Sequence, residues 1–154
     1  MVTINNKIIE IEFTEELLEE WTKLYFKEHP RAKKRPIKNP SHPSINEWCI
    51  LKRQAMNSLK QNWKSFTIFV IEYYGLQCLN IKKCKCKYIV YRDTKRRRDC
   101  DNITPKFLWD GLTEGDGVGL LKDDSCDCIT ELTLSYEYKK GIRGAKLIFY
   151  DCEY

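Results

Sequence analysis

Long apolar runs and histidines are what this chain of 154 residues has least of. No apolar run approaches the ~20 residues that a membrane-spanning helix needs. The first residues, MVTINNKIIE, lack the apolar core of a signal peptide. These absences predict a protein with no membrane partner, which we expect in the cytoplasm. Only two histidines are present, His29 and His42, so histidine can contribute little to a metal site.

The composition is that of one globular domain. Hydrophobic residues make up 42% and charged residues 32% of the chain, a balance that argues against disorder, collagen-like repeats and a coiled coil. A chain of this length can bury a core without covalent cross-links. We therefore expect residues 1–154 to form a single folding unit.

The charge distribution is more informative than the net charge of +5, which also describes many proteins with no nucleic-acid role. Basic residues cluster at 27–38 (KEHPRAKKRPIK) and 92–98 (RDTKRRR). Acidic residues cluster in the first helical segment and at 99–127. Cations arranged around acidic groups are typical of a site that binds a phosphate backbone and does acidic chemistry there.

Apolar periodicity predicts the order strand, helix, helix, strand, helix, strand, strand, which fits an α+β fold with a small mixed sheet packed on helices. Thr14 and Ser44 are the expected N-caps of the first two helices. The segments are 2–13 (strand or hairpin), 14–27 (helix), 44–75 (helix), 83–92 (strand), 107–112 (short helix), and 129–138 and 145–150 (two antiparallel strands around 139–141). The basic, proline-rich stretch between the first two helices fits a solvated linker as well as a DNA-contacting loop.

Eight cysteines are many for this length, and two pairs alternate, Cys84 with Cys86 and Cys126 with Cys128. Alternation places both thiols of a pair on one face of a strand, which is unfavourable for thiolates unless a metal holds them. Neither pair has the spacing of common zinc knuckles. Reduced, partly buried thiols are therefore favoured over structural Zn²⁺, and a zinc site through these four residues is the alternative.

The stretch RRRDCDN, residues 96–102, carries the main functional signal. In an extended segment, Asp99 and Asp101 leave the same face and repel each other unless a cation lies between them. Mg²⁺ prefers a few carboxylates together with water and substrate phosphate. A second acidic pair, Asp123 and Asp124, ends a segment that could return beside the first. Taken alone, the arginines and aspartates could instead be a strand end whose charges solvate each other.

The blocks PSINEW, RRRDCDN, PKFLWDGL and LLKDDS stand in this order. Together they resemble the RusA-type Holliday junction resolvases over about residues 44–150 and the first strand. The pattern of that family is an arginine, Asp-x-Asp-Asn, a lysine that opens a helix, and Asp-Asp a short loop later. The resemblance implies a RusA-like, dimeric α+β domain, in which 14–43 is an inserted helix and basic, proline-rich loop.

The resemblance also implies roles for individual residues. Asp99, Asp101 and Asp124 would be catalytic carboxylates that bind Mg²⁺, with Mn²⁺ as a substitute and with Asp123 as a further metal ligand. Lys106 would be the essential lysine. Arg96, Arg97 and Arg98 would contact DNA phosphates, and Asn102 would fix the turn or a ligand. Lys106 lies one residue further from the Asp pair than in the shortest family members.

The implied function is a magnesium-dependent endonuclease of bacterial or phage-infected cells that resolves four-way junctions by paired nicks. Because the junction has two-fold symmetry, a homodimer is the expected assembly. Two alternatives stay open at this point. One is a non-catalytic DNA-binding protein with the cysteine zinc site, and the other is a nuclease of the same fold that acts on flaps or forks.

Overall fold

A computed structural model describes residues 4–5, 8–115 and 117–154. They form a single α+β domain with one mixed sheet, as the sequence predicts. The strands, in sheet order β1-β2-β5-β3-β4, are β1 (Ile4–Asn5), β2 (Ile8–Phe13), β3 (Lys83–Arg92), β4 (Ile129–Tyr138) and β5 (Gly144–Glu153). The helices are α1 (Glu15–Glu28), α2 (Ile45–Trp48), α3 (Arg53–Tyr73) and α4 (Trp109–Leu112), with 3₁₀ turns at Cys100–Ile103 and Lys106–Leu108.

The strand β3 lies between β4 and β5, antiparallel to β5 and parallel to β4. The two antiparallel strands predicted around 139–141 therefore run in opposite directions, as expected, but β3 separates them. A parallel pair needs a long crossover between its strands, because a tight turn can join only antiparallel neighbours. Residues 93–128 supply that crossover, and all the predicted site residues lie in it.

The N-terminal prediction of a strand or hairpin is confirmed where the structure describes it. β1 pairs antiparallel with β2, with Ile4 opposite Ile9. The turn of this hairpin falls outside the described residues, which leave out 1–3, Asn6, Lys7 and Asp116. α1 starts as predicted, because the Thr14 side chain accepts a hydrogen bond of 3.2 Å from the backbone N–H of Leu17.

The core lies between one face of the sheet and the two long helices. Alternation along β2 and β3 turns every second residue into it: Ile9, Ile11, Phe13, Cys84, Cys86, Tyr88 and Val90. Phe66 of α3 is fully buried, and its ring centroid lies 5.5–5.8 Å from those of Phe13, Trp21 and Trp63. Trp63 is therefore a core residue, as its helical spacing indicates.

The long helix predicted over 44–75 is interrupted. α2 ends at Trp48, Lys52 is extended (φ −65°, ψ 154°), and α3 begins at Arg53. No glycine or proline marks the break. Contacts to the crossover explain it, because the Trp48 ring packs 5.3 Å from the Phe107 ring and the N–H of Asn46 donates to Asn102. Tertiary contacts have overridden helix propensity here, and Ile50 and Leu51 are exposed as a result.

Candidate active site

The crossover begins with an exposed basic arm. The side chains of Arg96, Arg97 and Arg98 are all exposed. The arm is tied to the end of β3 by Arg92, whose Nη1 donates to the carbonyl of Arg96 over 3.0 Å. Arg98 is paired only loosely with Asp93, at 4.0 Å. An exposed pair of this length contributes little, so the three guanidinium groups can bind an anionic ligand.

The first acidic pair follows the arm in a tight turn. Asp99 is extended (φ −93°, ψ 124°) and precedes the 3₁₀ turn that contains Asp101. The sequence suggests that the two aspartates are alternate residues of one extended segment. The structure differs, because only Asp99 is extended and Asp101 lies in the turn. Both are exposed, and neither carboxylate accepts a hydrogen bond or forms an ion pair with another described residue. Their oxygen atoms are accessible to a hard cation, and oxygen is the ligand that Mg²⁺ prefers.

Asn102 fixes this turn to α2. Its Oδ1 accepts a hydrogen bond of 3.1 Å from the backbone N–H of Asn46, and its own N–H donates to the carbonyl of Asp99 over 3.2 Å. The side chain thus joins two segments that are 56 positions apart in the sequence. The PSINEW block and the DCDN block, which the sequence presents separately, meet at this bond.

Lys106 also contacts α2. Its side chain is exposed, and its Nζ lies 5.8 Å from the centroid of the Trp48 ring. Trp48 Nε1 is buried and has no hydrogen-bond partner among the described residues. A helix-surface pair between Lys106 and Asp110 is expected from their spacing, but Lys106 is in a 3₁₀ turn and α4 begins only at Trp109. The ammonium group is therefore directed toward α2.

The second acidic pair, Asp123 and Asp124, lies in a loop near the start of β3. The N–H of Lys122 donates to the carbonyl of Ile81, and the carbonyl of Cys128 accepts from Cys84, so Asp123 and Asp124 are held near the start of β3. Hydrogen bonds from the Ser125 side chain and from the Asp124 N–H (2.8 Å) lower the pKa of Asp123. Asp99 of the first pair instead lies near Tyr136, toward the end of β4.

The two pairs are not brought into one ligand set. Ile129, where β4 begins, and Tyr136 are separated by about 23 Å of strand at ~3.3 Å per residue. Within 4–5, 8–115 and 117–154, no group of three or more His, Cys, Asp or Glu side chains is arranged to hold a metal ion. Asp99 and Asp101 alone fit the one or two carboxylates with which Mg²⁺ is usually bound, since water and substrate phosphate complete its coordination.

The predicted cysteine set is divided by burial. Cys84, Cys86 and Cys128 are buried, whereas Cys126 is exposed, and all eight cysteines are free thiols. Burial, reinforced by the neighbouring Cys152 and Cys128, raises the pKa of Cys84 to about 12. The Cys128 thiol donates to the carbonyl of Ile81 over 3.3 Å. In this arrangement the buried thiols are packing groups of the core.

His42 has no pattern that marks it in the sequence, yet it connects the proline-rich loop to the candidate site. The side chain is buried, and its Nδ1 lies 2.7 Å from the carbonyl of Pro43. A carbonyl only accepts, so Nδ1 carries the proton and Nε2 accepts the 3.0 Å bond from the N–H of Phe107. The N–H of His42 itself donates to the Tyr88 hydroxyl over 3.0 Å. Phe107 follows Lys106 directly, so His42 positions the backbone beside that lysine.

Burial dictates the charge state of His42. Desolvation lowers its pKa from 6.5 to about 4, against a smaller opposite effect of the hydrogen bond to Pro43. The rings of Phe107 and Trp63 lie 5.0 and 5.6 Å away and exclude water. Pro40 and Pro43, which flank His42 in a basic loop, did not indicate this burial. Hydrophobic periodicity cannot detect a histidine that is buried from a loop.

Neither a protein-family model nor a curated protein matches the chain. Among the residues that the structure describes, no helix combines the length and the apolarity that a bilayer span requires. The resemblance to RusA-type resolvases therefore stands on the order of the sequence blocks.

Proposed function

We propose that this protein is a metal-dependent endonuclease that cuts branched DNA, as its resemblance to RusA-type Holliday junction resolvases implies. The observation that carries the proposal is the turn at 99–102. It carries two exposed carboxylates that no other described residue pairs, and in the chain it follows an exposed arginine arm and precedes an exposed lysine. Asn102 anchors this turn to α2. Arginines contribute phosphate affinity, and carboxylates contribute cation affinity.

The roles of the side chains follow from this arrangement. Mg²⁺, or Mn²⁺ in its place, bound at Asp99 and Asp101 would polarise the scissile phosphate and activate a water for in-line attack. Lys106 offsets negative charge that develops on the phosphate, which is electrostatic stabilisation rather than proton transfer. Arg96, Arg97 and Arg98 hold the flanking backbone. Asp123 and Asp124 remain predicted ligands from the resemblance, and reaching the same ion would require their loop to move toward the turn.

The substrate proposed is the four-way junction, in the cytoplasm of a bacterium or a phage-infected cell. Two opposed strands must be cut in such a junction, so two sites related by a two-fold axis are required, and a homodimer supplies them. Sedimentation of the protein with and without junction DNA measures this assembly. A monomer in both conditions contradicts the dimer.

The function is tested by incubating the protein with Mg²⁺ and a synthetic four-way junction, with a flap, a fork and a linear duplex in parallel. We expect paired nicks in the junction and their loss in Asp101→Asn, because a neutral amide is a weak Mg²⁺ ligand. Asp127→Asn, an exposed aspartate of the second loop, is the matched control and should cut normally. Absence of nicking, or nicking that survives Asp101→Asn, overturns the proposal. Preferential cutting of the flap or fork would reassign the substrate.

Asp124→Asn tests the second pair separately. Loss of cleavage equal to that of Asp101→Asn would show that the 123–124 loop joins the site when DNA binds. Full activity would restrict the metal site to Asp99 and Asp101.

Metal analysis distinguishes the endonuclease from the alternative. That alternative is a non-catalytic DNA-binding protein with a zinc site at Cys84, Cys86, Cys126 and Cys128. Stoichiometric zinc that survives dialysis, together with DNA binding but no cleavage, would favour that alternative.

A further inference from the structure

A cavity of about 420 Å³ lies beside the candidate active site. The proline-rich segment 36–44 forms one wall, α3 contributes Leu59 and Trp63, and β3 and β4 contribute Val90 and Tyr136. This volume falls within the range of roughly 300–1,000 Å³ that small-molecule sites occupy. The end of the segment 14–43, which the resemblance implies is an insertion, thus borders a space next to the residues with predicted chemistry.

The chemistry of the walls fits a flat aromatic group with polar edges. Tyr136 and Leu59, which are both half-buried, supply the aromatic and aliphatic surface against which a ring can pack, whereas Trp63, Val90 and Ile103 are buried core residues. Hydrogen-bonding groups for the edge of the ring come from Ser41, Asn39 and Glu47. The ligand class that combines a stacking face with a hydrogen-bonding edge is the nucleobase.

The rim of the cavity is basic. Lys38, Arg98 and Arg143 all line it. Arg143 is paired with Glu15 at 2.8 Å and Arg98 loosely with Asp93 at 4.0 Å, whereas Lys38 forms no ion pair with a described residue. Lys38 and Arg98 can therefore bind the phosphates on either side of a base.

The cavity and the candidate metal ligands share one short segment of chain. Arg98 and Ile103 both line the cavity, and Asp99 and Asp101 lie between them. A nucleotide bound in the cavity would therefore place a neighbouring phosphodiester beside the two carboxylates.

We propose that this cavity binds one unstacked nucleotide of the DNA substrate, with its base against Tyr136 and its phosphates at Lys38 and Arg98. The inference rests on the proposed function and deepens it. Extruding a base costs least where stacking is already interrupted. A branch point is such a place, so the cavity supplies a physical reason for preferring branched over continuous duplex DNA.

The first test uses thymidine 3′,5′-bisphosphate as the probe and inorganic phosphate as the comparison, both titrated into the full-length protein. Binding is followed by amide and indole shifts in nitrogen-15 NMR spectra. We expect the nucleotide to bind at least about tenfold more tightly than phosphate because of base stacking, with shifts at the Trp63 indole and the Ser41 amide. Equal affinities, or shifts confined to exposed lysines and arginines, overturn the proposal.

The second test fills the cavity with Leu59→Trp and compares it with Leu51→Trp, the same change at an exposed position outside the cavity. Leu59→Trp should abolish the tenfold preference and Leu51→Trp should keep it. If both variants keep it, the base binds elsewhere and the proposal fails. If Leu59→Trp does not fold, the NMR shifts of the unaltered protein on nucleotide binding still test the proposal.

Failure of the cavity and failure of the proposed function give different results. A protein that cuts junctions but shows no nucleotide preference retains the function and loses the cavity proposal. A protein that binds the nucleotide in the cavity but never cuts branched DNA loses the function, and the cavity is then a nucleotide site without that activity.

Discussion

Lowering the pH should destabilise this protein through His42 in a way that can be isolated from all other titrations. The pKa of His42 is about 4 in the folded protein and 6.5 in its ordinary state. A lowered folded-state pKa means that the folded state favours the neutral ring. Its contribution to the free energy of unfolding is fully present above pH 6.5 and is lost as the pH falls from 6.5 toward 4. Linkage between these two values gives a loss of about 2 kcal/mol between pH 7.5 and pH 5.

Urea unfolding of the unaltered protein and of His42→Gln at several pH values measures this loss. The difference in unfolding free energy between them should shrink by about 2 kcal/mol from pH 7.5 to pH 5, because only the unaltered protein must keep a buried imidazole neutral. His29→Gln, the same change at an exposed position, is the matched control. A constant difference for His42→Gln, or a His42 ring that titrates near 6.5 by NMR, would refute the burial and hydrogen bonding described for it.

Three other predictions follow from packing and charge. Gly117→Ala should destabilise the fold by about 1–3 kcal/mol in urea unfolding, because its Cβ would collide with the Gly111 carbonyl, whereas Gly115→Ala meets open space and should be neutral. Burial raises the pKa of Cys84 to about 12, so a thiol reagent should label exposed Cys49 in the folded protein and Cys84 only after unfolding; equal rates would contradict that burial. Arg97→Ala should reduce the slope of log Kd for junction DNA against log salt by about one, and an unchanged slope would exclude a phosphate contact.

Local patterns predicted the elements well where burial is periodic. Burial alternates along the first half of β3, which has the predicted bounds 83–92, and α1 begins at its predicted cap. β4 also has its predicted bounds, 129–138, although most of its side chains are exposed. The neighbour relations were not predictable in the same way. Whether β4 pairs with β5 or with β3 depends on where the crossover packs, and no residue in 139–143 encodes that choice.

In the candidate site, too, local features were predictable and contacts between distant segments were not. Asp99, Asp101 and Lys106 are close in sequence, and the structure places the two aspartates at the turn that Asn102 anchors to α2, whereas Lys106 opens the next 3₁₀ turn and contacts Trp48 of α2. The distance between this turn and the 123–124 loop depends on how the whole crossover folds, which local spacing does not contain. His42 and the cavity depend on a proline-rich loop, whose conformation is determined by the core it covers rather than by its own propensities.

The parallel pairing of β3 and β4 has a kinetic consequence. Closing the loop of residues 93–128 costs conformational entropy before any strand contact compensates for it, so this pairing should form late in folding. β4 is also an edge strand, held by one neighbour only. A local opening that detaches β4 would release the end of the crossover that leads into β4, and it would remove the contacts between β4 and the turn at 99–102, while β2, β5 and β3 stay paired. Amide hydrogens of β4 and of the turn at 99–102 should then exchange together, as one cooperative unit that opens more often than the rest of the sheet.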